Sequence, residues 1–180
     1  LPKARDFNTP VLILIHGGFW SAGDKSDLDP WINLLQPTWQ DYAIVNTNYR
    51  LASVSNNQHP TQLNDIESLI NYLDSVKGDY TISNNYFLVG VSAGAHLSLL
   101  YSYLKNTGNR VKAVCSIVGP TDFTDPYYTS PDSFFNTAGS LFLGATYIDQ
   151  PDIYEEASPV SHVDSMDPPT LLFYGGHDIL

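Results

Sequence analysis

Short apolar runs alternate with longer amphipathic stretches along this chain. "VLILIH" (11–16), "YAIVNTNY" (42–49), "YFLVGVS" (86–92), "VKAVCSIVG" (111–119) and "TLLFYGG" (170–176) have strand length and strand composition. Several are apolar almost without a break, the pattern of strands covered on both faces. Between them the period changes. In "PTQLNDIESLINYLDSVKG" (60–78), Leu63, Ile66, Leu69, Ile70 and Leu73 recur every three or four residues. That spacing predicts an amphipathic helix, with Gly78 able to terminate it. "AGAHLSLLYSYLKNTG" (93–108) predicts another, closing on Lys105 and Gly108, and "DPWINLLQPTW" (29–39) a short one limited by Pro37.

Parallel strands need crossovers of helix length. The alternation therefore predicts an α/β fold with a mainly parallel, twisted sheet and helices on both faces. Residues 1–180 read as a single core. One stretch, 120–169, breaks the alternation. It is rich in Pro, Asp, Ser, Tyr and Phe and contains "SFFNTAGSLFLG" and "DIYEEASPV". It is too long for a plain loop. The expectation is a cap-like excursion with one or two short helices over one end of the sheet.

Composition narrows the function classes. Apolar residues make up 43% and charged residues 15%, which excludes a disordered chain. Eight Lys and Arg stand against 19 Asp and Glu, a net charge of −11. Such a surface repels nucleic-acid phosphates and anionic membranes, and no apolar run is long enough for membrane insertion. The expected partner is a small molecule. The lone Cys115 excludes an intrachain disulfide and a cysteine-based metal site, and reads as a buried small hydrophobe. No Walker loop, dinucleotide fingerprint or metal-ligand cluster appears, so no cofactor and no metal are expected. A secreted or periplasmic chain with its leader removed and a cytoplasmic chain would read alike, and the compartment stays open.

The chemistry concentrates in two places. "GVSAG" (90–94) has the form G-x-S-x-G and sits between a strand and a helix. This is the setting of a nucleophile elbow, in which a sharp turn projects Ser92 at the carboxyl end of the sheet. The N–H of Ala93, at the helix start, can face a developing oxyanion. "HGGFW" (16–20) follows the first strand. Its glycines let backbone N–H groups of Gly17, Gly18 or Phe19 approach a ligand, and His16 reads as a brace for the loop. Arg50 is expected to pair with Asp65. Asp122 is a rival acid. Phe19, Trp20, Tyr127, Tyr128, Phe134 and Phe135 are candidates for an acyl or alcohol pocket.

"HGGFW", "GVSAGAHL" and "YGGHD", in that order, resemble α/β-hydrolases of the carboxylesterase and lipase type with an HGG oxyanion loop. "NYRL" (48–51), "HPTQLNDI" (59–66) and "ASPVSHV" (157–163) resemble stretches that recur there. The resemblance implies Ser92 as nucleophile, Gly18, Phe19 and Ala93 as oxyanion donors, His16 and Gly17 as loop support, and Asp178 as the triad acid. It implies cleavage of carboxylic esters through an acyl-enzyme, without metal or cofactor. "HGGFW" and "SAGAHL" are also similar to kynurenine formamidase, which makes an arylformamidase the alternative.

The pattern departs in one respect. The family's catalytic histidine lies downstream of the acid, and His16, His59, His96, His162 and His177 do not match it. The expectation is a hydrolase core incomplete at its C-terminus, lacking a strand and a helix as well as the base, and inactive by itself. A non-catalytic hydrolase-fold binding protein is the reading of another class.

Overall fold

The computed structural model describes residues 1–176. Residues 177–180, and with them Asp178 and His177, lie outside the described residues. Among the described residues five strands form one sheet: β1 (Val11–Ile15), β2 (Ala43–Thr47), β3 (Tyr86–Val91), β4 (Val111–Ile117) and β5 (Thr170–Phe173). Every pairing is parallel and the order is β2-β1-β3-β4-β5. The crossovers carry α1 (Asp29–Leu35), α2 (Thr61–Tyr80) and α3 (Ala93–Leu104), which lie on both faces of the sheet.

Because side chains alternate across a strand, β1 feeds both faces. Val11, Ile13 and Ile15 join Leu63, Ile66 and Ile70 of α2 and Leu97 and Leu100 of α3 in the larger core. Leu12 and Leu14 face the other way, toward Leu28, Ile32, Trp39, Phe87 and Val89. All five β1 residues are buried, each contributing about 1.5–3 kcal/mol on transfer from water. The central strand is therefore the best anchored, and the loop that leaves it starts from a rigid base.

Four sequence expectations are corrected. Helix α2 runs through Gly78, which has open space around it, and ends where Thr81 turns left-handed at φ 55°. Helix α3 stops at Leu104, four residues short of Gly108. Strand β5 is not covered on both faces: Leu171, Leu172 and Phe173 are each about half exposed, and among the described residues β4 is its only strand partner. Cys115 is half-buried on the more open sheet face rather than enclosed.

The excursion holds three short helices, not one or two: α4 (Pro126–Thr129), α5 (Phe134–Leu143) and α6 (Pro151–Glu156), then a 3-10 turn at Pro159–His162. Local caps divide it. Asp125 and Ser133 accept N–H groups of Tyr127 and Phe135, and Gly144 ends α5 at φ 81°. The excursion is also part of the core, since Phe123, Phe142 and Tyr154 are fully buried.

Candidate active site

The chain moves from β1 to β2 on one side and then to β3 on the other. The carboxyl ends of β1 and β3 thus flank the topological switch point, where open α/β sheets bind ligands. β1 leads into His16-Gly17-Gly18, and β3 leads into Ser92.

Ser92 has φ 52° and ψ −118°, a conformation costing a non-glycine residue about 1–3 kcal/mol. Its N–H donates to the Ile117 carbonyl at 2.8 Å, and its carbonyl accepts from His96 N–H at 3.0 Å. Strand and helix meet so tightly that the two motif glycines have no room for a side chain. A Cβ on Gly90 would strike the Gly94 carbonyl, and one on Gly94 would strike the carbonyl oxygens of Ile15 and His16.

The loop after β1 comes against this turn. A Cβ on Gly17 would lie 3.2 Å from the Ser92 Cβ and 3.0 Å from the Val91 carbonyl oxygen. Gly18, Phe19 and Trp20 all have positive φ, at 115°, 52° and 60°. The N–H groups of Ser21 and Ala22 both bond the Gly18 carbonyl, closing the loop. The N–H groups of Gly18, Phe19 and Ala93 have no acceptor among the described residues.

Buried side chains hold the loop from below. His16 is fully buried, donates from Nδ1 to the Gly17 carbonyl at 2.7 Å, and stacks on Tyr49 at 4.4 Å. The Tyr49 hydroxyl donates to the carbonyls of His16 (3.1 Å) and Gly17 (3.3 Å), and burial pushes it well above the ordinary phenol range. Trp20 is not a pocket residue: it is 3% exposed and stacks on Phe142. Its indole N–H donates to His96 Nδ1 at 3.0 Å, while His96 Nε2 donates to the Ala157 carbonyl at 2.7 Å. Burial holds the His96 imidazole far below the ordinary range, at about 3.

The other two described histidines have partners elsewhere. His162 Nε2 bonds the Glu156 carbonyl at 2.7 Å, and buried His59 lies 3.8 Å from the Glu156 carboxylate. Among the described residues no histidine ring hydrogen-bonds the Ser92 hydroxyl. Asp122 accepts from the N–H and hydroxyl of Thr124 in a local turn. Arg50 pairs with Asp65, whose carboxylate also accepts the Arg50 N–H at 2.8 Å, fastening the segment after β2 to α2.

Beside the loop the excursion raises an aromatic wall. Phe19 meets Phe134 edge-on at 5.5 Å, and Tyr127 stacks on Phe135 at 4.9 Å. Tyr127 and Phe134 are exposed while Tyr128 and Phe135 are buried. An open cavity of about 430 Å³ lies among Tyr127, Ser130, Ser133, Phe134 and Phe135. A larger one, about 540 Å³, lies between the N-terminal residues and the β2 edge and touches none of these groups.

A family model described as BD-FAE matches residues 1–180. The chain belongs to that family. It is an α/β-hydrolase-fold family of the esterase and lipase type. The BD-FAE chain is 25% identical over 181 residues to "Esterase LipC" of Mycobacterium tuberculosis (strain ATCC 25618 / H37Rv), covering 94% of this chain and 44% of that protein. It is 26% identical over 184 residues to "Probable carboxylic ester hydrolase LipM" of the same organism, covering 95% and 42%. The chain thus spans under half the length of these curated relatives. Among solved structures, "Truncated form of carbohydrate esterase from gut microbiota" has a TM-score of 0.79 at 24% identity, covering 96% of this chain and 68% of that one. That likeness concerns the fold. No described helix is long and apolar enough to cross a membrane, and no described cluster of His, Cys, Asp or Glu could hold a metal ion.

Proposed function

We propose that this chain carries the nucleophile and oxyanion hole of a serine hydrolase for carboxylic esters, with residues 1–180 forming one hydrolase core. The observation that carries the reading is the approach of Gly17 to Ser92: a glycine loop with free N–H groups lies against a serine strained onto a strand-to-helix turn.

In this reading Ser92 Oγ attacks the ester carbonyl carbon while a histidine outside the four described ones takes its proton. Asp178, whose role rests on its "YGGHD" setting, orients that histidine. The carbonyl electron pair moves onto oxygen, which the N–H groups of Gly18, Phe19 and Ala93 receive. Each donor contributes about 3 kcal/mol to the tetrahedral intermediate. Collapse expels the alcohol, protonated by the same histidine, and water then releases the acid by the reverse sequence. The substrate is a small ester whose acyl or alcohol part lies against Tyr127 and Phe134, and no metal or cofactor takes part.

The test uses the whole protein as its gene encodes it. Hydrolysis of p-nitrophenyl acetate and covalent labelling by a fluorophosphonate probe, both lost in Ser92→Ala, are expected. A folded protein that the probe leaves unlabelled would sink the reading. Faster turnover of N-formylkynurenine than of the ester would move the substrate class to arylformamides.

A further inference from the structure

The two sides of the oxyanion hole come from different elements. Phe19 belongs to the loop after β1, and Ala93 opens α3. Their N–H groups must converge on one oxygen to within a few tenths of an ångström for the hole to work. Gly18, Phe19 and Trp20 occupy three successive left-handed conformations, which the two non-glycine residues keep only where their surroundings hold them. Something beyond the backbone has to hold it in register with α3.

One buried contact reaches from the loop to that helix close to the serine. His96 is on α3, one turn beyond Ser92, and is fully buried. Indole N–H only donates and a carbonyl only accepts, so the Trp20 and Ala157 contacts dictate one neutral tautomer: Nδ1 accepts and Nε2 carries the proton. A doubly protonated ring would turn an N–H toward the indole N–H, so the same geometry excludes the charged form. Trp20 is the residue next to Phe19. It is held on its faces and edges by Phe142, Phe123 and His96, and its carbonyl accepts from Ala52 N–H at 2.9 Å.

We infer that His96 is a positioning residue: by accepting the Trp20 indole N–H it sets the Phe19 N–H against the Ala93 N–H across Ser92. His96 does not touch substrate. Its second bond, to Ala157, ties the same imidazole to the end of α6, so the excursion is registered on the helix that carries the nucleophile. The inference rests on the hydrolase reading above.

The two bonds can be separated chemically. In His96→Gln the side-chain amide N–H can replace Nε2–H toward Ala157, with nothing in place of Nδ1. In His96→Asn the amide oxygen can replace Nδ1 toward Trp20, with nothing toward Ala157. Trp20→Phe keeps the ring and deletes the donor.

The experiment measures p-nitrophenyl acetate kinetics and melting temperature for these variants in the whole protein. His96→Gln and Trp20→Phe are expected to lower kcat ~10- to 100-fold with KM changed less than about twofold, as misplacing one oxyanion donor does. His96→Asn is expected to recover most of that rate even where its melting temperature falls as far. Should His96→Gln not fold, Trp20→Phe decides alone. A kcat within about twofold of wild type in Trp20→Phe, or rates that follow melting temperature across all three variants, overturns the inference. A wild-type protein without ester turnover and without fluorophosphonate labelling removes the hydrolase reading itself, and the positioning role with it.

Discussion

Gly90 lies directly under the carbonyl of Gly94, so that strand β3 and helix α3 touch backbone to backbone on either side of Ser92. Neither position leaves room for a methyl group, and the obstacle is main chain, which cannot rotate away. Gly90→Ala and Gly94→Ala are each expected to cost about 3 kcal/mol or more. For a chain this long that is a fall in melting temperature of roughly 6–12 °C. Gly78→Ala is the control: a Cβ there meets open space within a helix, and the melting temperature should rise slightly. Thermal unfolding of the three variants checks the contrast, and equal effects would show that the elbow tolerates a side chain.

Ser92 stores backbone strain. In the proposed reaction it supplies the nucleophile, so Ser92→Ala should reduce ester turnover by about four orders of magnitude or more. Ser92→Gly should be equally inactive yet more stable, because glycine occupies φ 52° without steric cost. The expected gain is about 1 kcal/mol, read as a higher urea midpoint than that of Ser92→Ala. Identical midpoints would mean that the turn holds no strain for glycine to relieve.

Much of this was legible because it is local. The period in 60–78 gave α2, and the continuous apolar run of β1 gave the central strand. The glycines of "GVSAG" and "HGGFW" announce close backbone approach, and the structure places them where a Cβ collides or nearly touches. The excursion was harder to read. Its helices are four, ten and six residues long, and α4 and α6 are too short to show a hydrophobic period. The exposure of β5 depends on what packs over its faces, which the apolar run "TLLF" does not reveal. Least legible was the bond between Trp20 and His96, 76 residues apart. Each residue alone suggests ordinary packing, and only the fold shows that the one polar atom of the indole meets an acceptor on α3.

Asp24 sits just after the glycine loop that follows β1 and caps the turn at Lys25–Leu28. Its carboxylate accepts from Ser26 N–H at 2.9 Å and from the Asn48 amide at 2.7 Å. Those bonds, the Ser26 one foremost, favour the charged form and lower its pKa to about 2. A depressed carboxylate stabilises the fold above its ordinary pKa, and the contribution is lost as pH falls toward the folded value. Asp24→Ala should therefore be less stable than the wild type at neutral pH by a constant margin. That margin should close between roughly pH 4 and pH 2. Urea midpoints of the pair across this window check it, and a margin that persists at the acid end would show that the charge contributes nothing.

His96 titrates in the opposite chemical sense with the same outcome for acid. Its ordinary value is 6.5, and burial, as the largest cause, holds it at about 3 in the folded protein. Between those values the unfolded chain binds a proton that the folded chain refuses. Unfolding is therefore favoured as pH falls, and the stability associated with the neutral ring is complete only above the ordinary value. Buried His59 is depressed for the same first cause and adds to the slope. His96→Asn removes one of the two groups. Its stability should fall less steeply than that of the wild type between about pH 6.5 and pH 4, although it starts lower because Ala157 loses its donor. Urea midpoints at several pH values in that interval measure both slopes. Parallel curves would mean that the folded protein takes up a proton at His96 as readily as the unfolded chain, which the paired contacts to Trp20 and Ala157 forbid.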